Sequence, residues 1–130
     1  MKAKPKAKKR TAQSLRTLKG LETEKLRRKG FLQMCADAGL PEPITEYEFH
    51  NMRAWRLDFV WPIPEDASNG GVALESDGNG RHTRWSGFRE DAIKRNEAQL
   101  ANWLVLHVPS SELCTDSTVA LVKRALEARQ

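Results

Sequence analysis

Two short apolar segments, separated by a turn rich in Pro, Ser and Gly, constrain the fold of this chain more than any other feature. The first covers 55–61 (Trp-Arg-Leu-Asp-Phe-Val-Trp) and the second covers 71–78 (Gly-Val-Ala-Leu-Glu-Ser-Asp-Gly). Their length, their aromatic and aliphatic content and the turn residues between them predict two successive β-strands. Both strands carry acids: Asp58 lies in the first, and Glu75 and Asp77 lie in the second.

The positions of these acids indicate a metal site. Side chains alternate between the faces of a strand, so Glu75 and Asp77 project to the same side. Asp58 lies in an apolar run, where an unpaired carboxylate is costly unless a cation or hydrogen-bond donors receive it. Two alternatives stay open from the residues alone. Asp58 can form a structural ion pair with Arg53 or Arg56, and the other two acids can be a solvated strand end.

Further elements follow from apolar spacing and from helix and turn signals. Helices are predicted at 23–38, 87–102 and 118–128, an edge strand at 46–50 and a buried strand at 103–108. The order of helix, three strands, helix, strand and helix predicts an α/β fold, in which helices cover a small mixed sheet. In the helix at 87–102, the spacing places Ile93, Asn96 and Leu100 on the buried face and Lys94 on the wet face.

Charge is distributed unevenly along the chain. Residues 1–30 contain 12 Lys and Arg against two Glu, a net charge of +10, whereas the other 100 residues carry −5. We therefore predict a basic flexible arm over 1–22 and a single domain over 23–130. The arm is expected to neutralise nucleic-acid phosphates, although a solvated tail is the alternative. Its first basic residues are Lys2, Lys4, Lys6, Lys8, Lys9 and Arg10.

The remaining composition indicates a soluble, cytoplasmic protein that does not enter a membrane. No apolar run approaches the roughly 18 residues that suggest a membrane helix, and no apolar signal core follows the N-terminal lysines. Cys35 and Cys114 are isolated, which is typical of reduced, packing thiols. His50 and His107 fall in strand contexts and are predicted to be satisfied structural histidines.

The strand acids and the element order together resemble the PD-(D/E)xK nuclease superfamily over about residues 25–108. More narrowly, the segments 39–43 (Gly-Leu-Pro-Glu-Pro), 55–59 (Trp-Arg-Leu-Asp-Phe) and 81–84 (Arg-His-Thr-Arg) resemble small nucleases of phages and prophages. Members of that group are often regarded as Holliday-junction resolvase-like endonucleases. The resemblance implies a restriction-endonuclease-like α-β-β-β-α-β core.

The resemblance also implies a catalytic set. Asp58 and Glu75 match the superfamily's ligands of Mg²⁺ or Mn²⁺, hard cations that favour oxygen. The lysine usual two positions after the second acid is replaced here by Asp77, which is expected to be a third metal ligand or to hold the attacking water. Lys94 on the next helix is one candidate replacement for the lysine, and a solvated or DNA-facing charge is the alternative. The implied reaction is metal-dependent hydrolysis of a DNA phosphodiester.

Substrate and partners are expectations of the same kind. Arg81, His82 and Arg84 follow the acidic strand and are expected to bind nucleic acid. Cutting two strands symmetrically needs two sites, so a homodimer acting on branched DNA during recombination, in a bacterial or phage-infected cell, is expected. A nonspecific or nicking DNA nuclease is one alternative. A noncatalytic nucleic-acid-binding module that keeps the fold is the other, because the usual lysine is missing.

Overall fold

A computed structural model describes residues 12–64, 69–77 and 85–130 of the chain. In chain order the elements are α1 (Ala12–Asp37), β1 (Ile44–Glu48), β2 (Arg56–Pro62), β3 (Gly71–Asp77), α2 (Trp85–Leu100), β4 (Trp103–Pro109), a short 3-10 helix (Ser110–Glu112) and α3 (Asp116–Arg129). The predicted element order and the α/β class are therefore confirmed. Within the described ranges, no helix is both long and apolar enough to cross a bilayer.

The four strands form one mixed sheet in the order β1-β2-β3-β4. β2 is antiparallel to both β1 and β3, whereas β4 is parallel to β3. Parallel neighbours need a long crossover, and α2 supplies it. β3 begins at Gly71, where φ is +149° and a Cβ atom would lie 2.2 Å from the carbonyl oxygen of Trp61. Only glycine fits this entry to the strand.

Helices cover both faces of the sheet. On one face, Phe31 of α1 and Val122 of α3 pack against Phe59 and Trp61 of β2. The Phe31 ring meets the Phe59 ring edge-on, with 4.9 Å between centroids. On the other face, Ala98 of α2 packs in a smaller cluster with Leu57, Val60, Ala73 and Trp103. β2 and β3 are buried between these layers, which explains their nearly continuous apolar sequences.

α1 begins eleven residues earlier than the sequence analysis predicted. The helix already includes Ala12, so the predicted boundary between a basic arm at 1–22 and the domain at 23–130 falls inside it. The sequence does carry a signal for this extension, since Ala12, Leu15, Leu18 and Leu21 recur every three positions. Leu, Arg, Lys, Gln and Glu in 12–22 are also good helix formers, and that stretch contains no proline.

The predicted orientation of the second helix is wrong. Ala98 is fully buried and Lys94 is partly buried, whereas Leu100, which was predicted to face the core, is 81% exposed. A small side chain at Ala98 lets the helix approach the sheet closely. Lys94 is held inward by an acidic partner on β3, an attraction that an apolar pattern does not report.

Candidate active site

All four residues predicted to be catalytic line one open cleft. Asp58, Glu75, Asp77 and Lys94 come from β2, β3 and α2, and the cleft has a volume of about 1500 Å³. α1 also lines it, through Arg28 among others. The structure thus brings the predicted residues to one place, and the detailed contacts show how each is held.

Asp58 and Glu75 are neighbours because the β2–β3 pairing ends beside them. The ladder pairs Phe59 with Leu74 and stops there, so Asp58 and Glu75 are the next positions in the antiparallel register. Asp58 Oδ2 accepts a hydrogen bond from the backbone N–H of Ser76 at 2.8 Å. Beyond the last β2–β3 backbone pair, the Asp58 carboxylate therefore takes the place of a backbone acceptor for the N–H of Ser76. This hydrogen bond anchors Asp58 to β3.

The backbone of β1 opposite Asp58 departs from regular strand geometry. β1 pairs Thr45 with Phe59 and Tyr47 with Leu57, which places Glu46 across from Asp58. Glu46 has φ of +52°, a left-handed conformation that costs about 1–2 kcal/mol for a residue with a Cβ atom. Such strain persists only where surrounding contacts hold it, and it concentrates at functional sites.

Arg28 of α1 holds both strands at this point. Its Nη2 donates to Asp58 Oδ1 at 2.8 Å, and its Nη1 donates to the Glu46 carboxylate. Its guanidinium carbon also lies 5.6 Å from the Phe59 ring centroid. Burial opposes the charge of Arg28, but the carboxylates of Asp58 and Glu46 outweigh that effect, so its pKa is raised. Arg28 is therefore a permanent cation that fixes the orientation of Asp58.

The ion-pair alternative drawn from the sequence named the wrong arginines. Arg56 pairs with Glu48, at 3.3 Å, and the Arg53 guanidinium lies over the Trp55 ring. Arg28 was missed because it lies in a run of basic residues, none of which stands out by type. One usable signal existed, since Arg28 precedes the buried Phe31 by three positions and so shares its helix face.

Glu75 is a buried acid of the cleft, and its pKa is strongly raised. It is 8% exposed, and burial raises its pKa to about 8, with the nearby Asp58 carboxylate adding to the effect. Lys94 opposes this shift, with its Nζ 2.6 Å from Glu75 Oε1. The contact is compatible with a protonated acid, whose carbonyl oxygen still accepts from the ammonium group. The raised pKa favours the protonated form of Glu75, as expected for crowded carboxylates.

Asp77 is held on the opposite side by β4. The His107 Nδ1 atom lies 3.2 Å from Asp77 Oδ2 and 3.3 Å from Oδ1. His107 lines the cleft, and its Nε2 is buried without a hydrogen-bond partner in the described part of the chain. The prediction of a satisfied structural histidine is therefore wrong for His107. It is confirmed for His50, whose Nδ1 accepts from the backbone N–H groups of Met52 and Arg53.

The donor set fits a hard divalent cation at two carboxylates. Over residues 12–64, 69–77 and 85–130, no three His, Cys, Asp or Glu side chains form a group that could hold a metal ion. The Asp58 carboxylate adds to the raised pKa of Glu75, so the two acids lie close enough to repel one another and to favour a proton on Glu75. A divalent cation can take the place of that proton, since it relieves the same repulsion. Asp77, the third predicted ligand, contacts His107 instead.

The predicted nucleic-acid contacts fall outside the described residues. Arg81, His82 and Arg84 lie in the segment 78–84, and the basic residues Lys2, Lys4, Lys6, Lys8, Lys9 and Arg10 lie in 1–11. These contacts stay predictions.

Comparison of the chain with protein-family models, with curated proteins and with solved structures gives no match.

Proposed function

We propose that this chain is a divalent-metal-dependent endonuclease that hydrolyses DNA phosphodiester bonds. One observation carries the proposal: Asp58 and Glu75 adjoin in an open cleft, and the ammonium group of Lys94 lies 2.6 Å from Glu75. Two acids and one amine from two strands and the following helix are the groups that the PD-(D/E)xK resemblance implies. A restriction-endonuclease-like fold is part of the same proposal.

Each side chain has a role in this reaction. Asp58 and Glu75 hold Mg²⁺ or Mn²⁺, and Asp77 is the third proposed ligand or the holder of the attacking water. Arg28 and the N–H of Ser76 fix the Asp58 carboxylate, so that it is oriented before substrate arrives. When bound, the cation supplies a water that is easier to deprotonate and stabilises negative charge on the phosphoryl oxygens.

Lys94 supplies the positive group whose usual position is occupied by Asp77. Its Nζ reaches Glu75 from α2, with the side chain 23% exposed in the cleft. An ammonium group there can donate to a phosphoryl oxygen as negative charge develops on it. A noncatalytic module would lack a positive group beside the acids. The position of Lys94 supports an enzyme over that alternative.

Branched or otherwise structured DNA, such as a Holliday junction, is the proposed substrate, and recombination in a bacterial or phage-infected cell is the proposed setting. The cleft is open and large enough for a nucleic-acid strand, at about 1500 Å³. A homodimer is proposed because one small chain offers one such cleft, whereas symmetric cutting needs two. Light scattering on the chain with a four-way junction tests this, since a complex with one protein chain only would exclude paired cutting.

The test of the function compares Asp58→Asn with the parent protein on four DNA substrates. A four-way junction, a flap, a linear duplex and a single strand are incubated with Mg²⁺, and cleavage and binding are both measured. We expect the parent to cut the junction, and Asp58→Asn to reduce cutting at least about 100-fold while binding survives. Asp37→Asn, which alters an exposed acid at the far end of α1, is the matched control.

The outcomes separate the alternatives. Equal cutting of duplex and junction would indicate a nonspecific or nicking nuclease. Binding by the parent without Mg²⁺-dependent cutting would indicate a noncatalytic nucleic-acid-binding module. Cutting that persists in Asp58→Asn would refute the assignment of the site.

A further inference from the structure

The loop between β1 and β2 presents an apolar side chain to solvent beside the cleft. Met52 is 83% exposed, and Ala54 and Trp55, just beyond it, line the cleft. A single exposed apolar side chain is ordinary on a protein surface. Met52 differs from an ordinary case because hydrogen bonds and ring contacts hold the residues around it.

The turn that carries Met52 is closed by a histidine. His50 Nδ1 accepts from the backbone N–H groups of Met52 at 3.1 Å and Arg53 at 3.0 Å. Because Nδ1 is the acceptor, the proton of the neutral ring lies on Nε2, which faces Glu97 of α2 at 3.7 Å. The His50 side chain therefore holds the backbone of this turn, and its other ring nitrogen faces α2.

Aromatic stacking supports the other side of the loop. The Trp55 ring stacks on Phe49, with 6.3 Å between centroids and 16° between planes, and meets the edge of His50 at 5.2 Å. The Arg53 guanidinium lies 5.0 Å above the Trp55 ring centroid. This cation–π contact holds a positive charge next to Met52. Aromatic and cationic side chains thus support a loop that presents one apolar side chain to solvent.

We propose that the loop 49–55 is a wedge that enters DNA where base stacking is already interrupted. Met52 packs against the exposed face of a base, and Arg53 binds an adjacent phosphate. The inference rests on the proposed assignment of the cleft to DNA, and it identifies what selects branched substrates. Apolar wedges of this kind unstack base steps in proteins that bend DNA. Unstacking an intact duplex costs a few kcal/mol per step and costs less where pairing or stacking is already broken, so the wedge favours a branch point.

The position of the loop determines its partner. Ala54 and Trp55 of the loop line the same cleft as Asp58, so a DNA strand bound at the acids would run close to the loop. Met52 lacks hydrogen-bonding groups that read a base edge, and a base has an apolar face in any sequence. The wedge therefore recognises the structure of the DNA and not its sequence.

The experiment measures binding of the full chain in EDTA, so that hydrolysis does not interfere. A four-way junction carries 2-aminopurine at its branch point, and a linear duplex of matched sequence carries it internally. We expect the parent to raise the fluorescence of the junction and to leave the duplex unchanged. Met52→Ala is expected to abolish most of that rise and to weaken junction binding about tenfold, with duplex binding changed by less than about twofold.

Two variants serve as controls. Met52→Leu keeps an apolar side chain of similar size and is expected to retain the fluorescence rise. Leu100→Ala removes another exposed apolar side chain, 81% exposed at the end of α2 beyond the cleft-lining residues, and is expected to match the parent. Because Met52 is exposed, the alanine variant should fold normally, which circular dichroism verifies.

The results separate this inference from the proposed function. Junction binding by Met52→Ala equal to the parent, or equal losses on junction and duplex, would overturn the wedge. Tighter binding of an RNA junction of the same shape would overturn its assignment to DNA. A normal fluorescence response together with no Mg²⁺-dependent cutting would support the wedge and overturn the nuclease.

Discussion

Replacing Glu75 with glutamine should make the protein more stable, and the gain should grow with pH. In the folded state the pKa of Glu75 is raised from 4.5 to about 8, chiefly by burial. The unfolded chain loses this proton near pH 4.5, whereas the folded chain keeps it until about pH 8. Between these values the folded state binds one more proton than the unfolded state, so the free energy of unfolding falls as pH rises.

The raised pKa of Glu75 sets the size of the expected gain in stability. At 1.36 kcal/mol per pKa unit, the difference between 4.5 and about 8 gives a ceiling of about 5 kcal/mol lost by pH 8. Rearrangement around Lys94 and Asp58 on deprotonation reduces this figure, so we expect about 2–4 kcal/mol. A neutral amide at position 75 removes the titration. Glu75→Gln should therefore match the parent near pH 4.5 and exceed it by that amount at pH 8.

The assay is urea unfolding in EDTA at pH 4.5, 5.5, 6.5, 7.5 and 8, for parent and variant side by side. The difference between the two proteins isolates Glu75 from other titrating groups. Glu42→Gln, at an exposed position outside the cleft, should show no such pH-dependent difference from the parent. If Glu75→Gln gained nothing between pH 4.5 and 8, the inference that Glu75 keeps a proton would be refuted.

Three further substitutions test the site and the fold that positions it. Lys94→Met should lower Mg²⁺-dependent cutting at least about 100-fold with little loss of folding, whereas Lys123→Met on the exposed face of α3 should leave the rate unchanged. Arg28→Ala should cost about 1–3 kcal/mol in urea unfolding because Asp58 loses its partner in a partly exposed setting, and Arg28→Lys should restore only part of it. Gly71→Ala should lower the free energy of unfolding by about 2–4 kcal/mol, because the added Cβ atom clashes with the backbone of Trp61. A variant as stable as the parent would show that the backbone at the start of β3 can move to accept a Cβ atom.

The sequence alone predicted the acids of the cleft because strand alternation is a local property. Glu75 and Asp77 lie two positions apart on β3, and Asp58 is anomalous in its apolar run, so all three could be identified without the fold. Whether their carboxylates converge depends on where the β2–β3 ladder ends and on what else binds them. The contact of Asp77 with His107 across the parallel β3–β4 pair could not be read from the chain.

Residues on helices were harder to assign. Lys94 was predicted to lie on the wet face of α2 because apolar spacing was the only guide, and the helix has few large apolar residues. The structure instead turns the small Ala98 and the charged Lys94 inward. Arg28 was not singled out, since its role depends on Glu46 and Asp58, which lie 18 and 30 positions away. Charge pairs between distant segments have no signature in local periodicity.

A buried acid such as Glu75 lowers the stability of the fold, and proteins typically tolerate that loss at functional sites. The most direct test of the proposed centre is calorimetric titration of Mn²⁺ into the full chain at pH 7, in two buffers that differ in ionisation enthalpy. If Asp58 and Glu75 hold the cation, the parent should bind Mn²⁺ and release about one proton from Glu75, and Asp58→Asn should bind far more weakly. Mn²⁺ binding of equal strength in both proteins, or no binding by the parent, would contradict a metal-dependent centre at this pair of carboxylates.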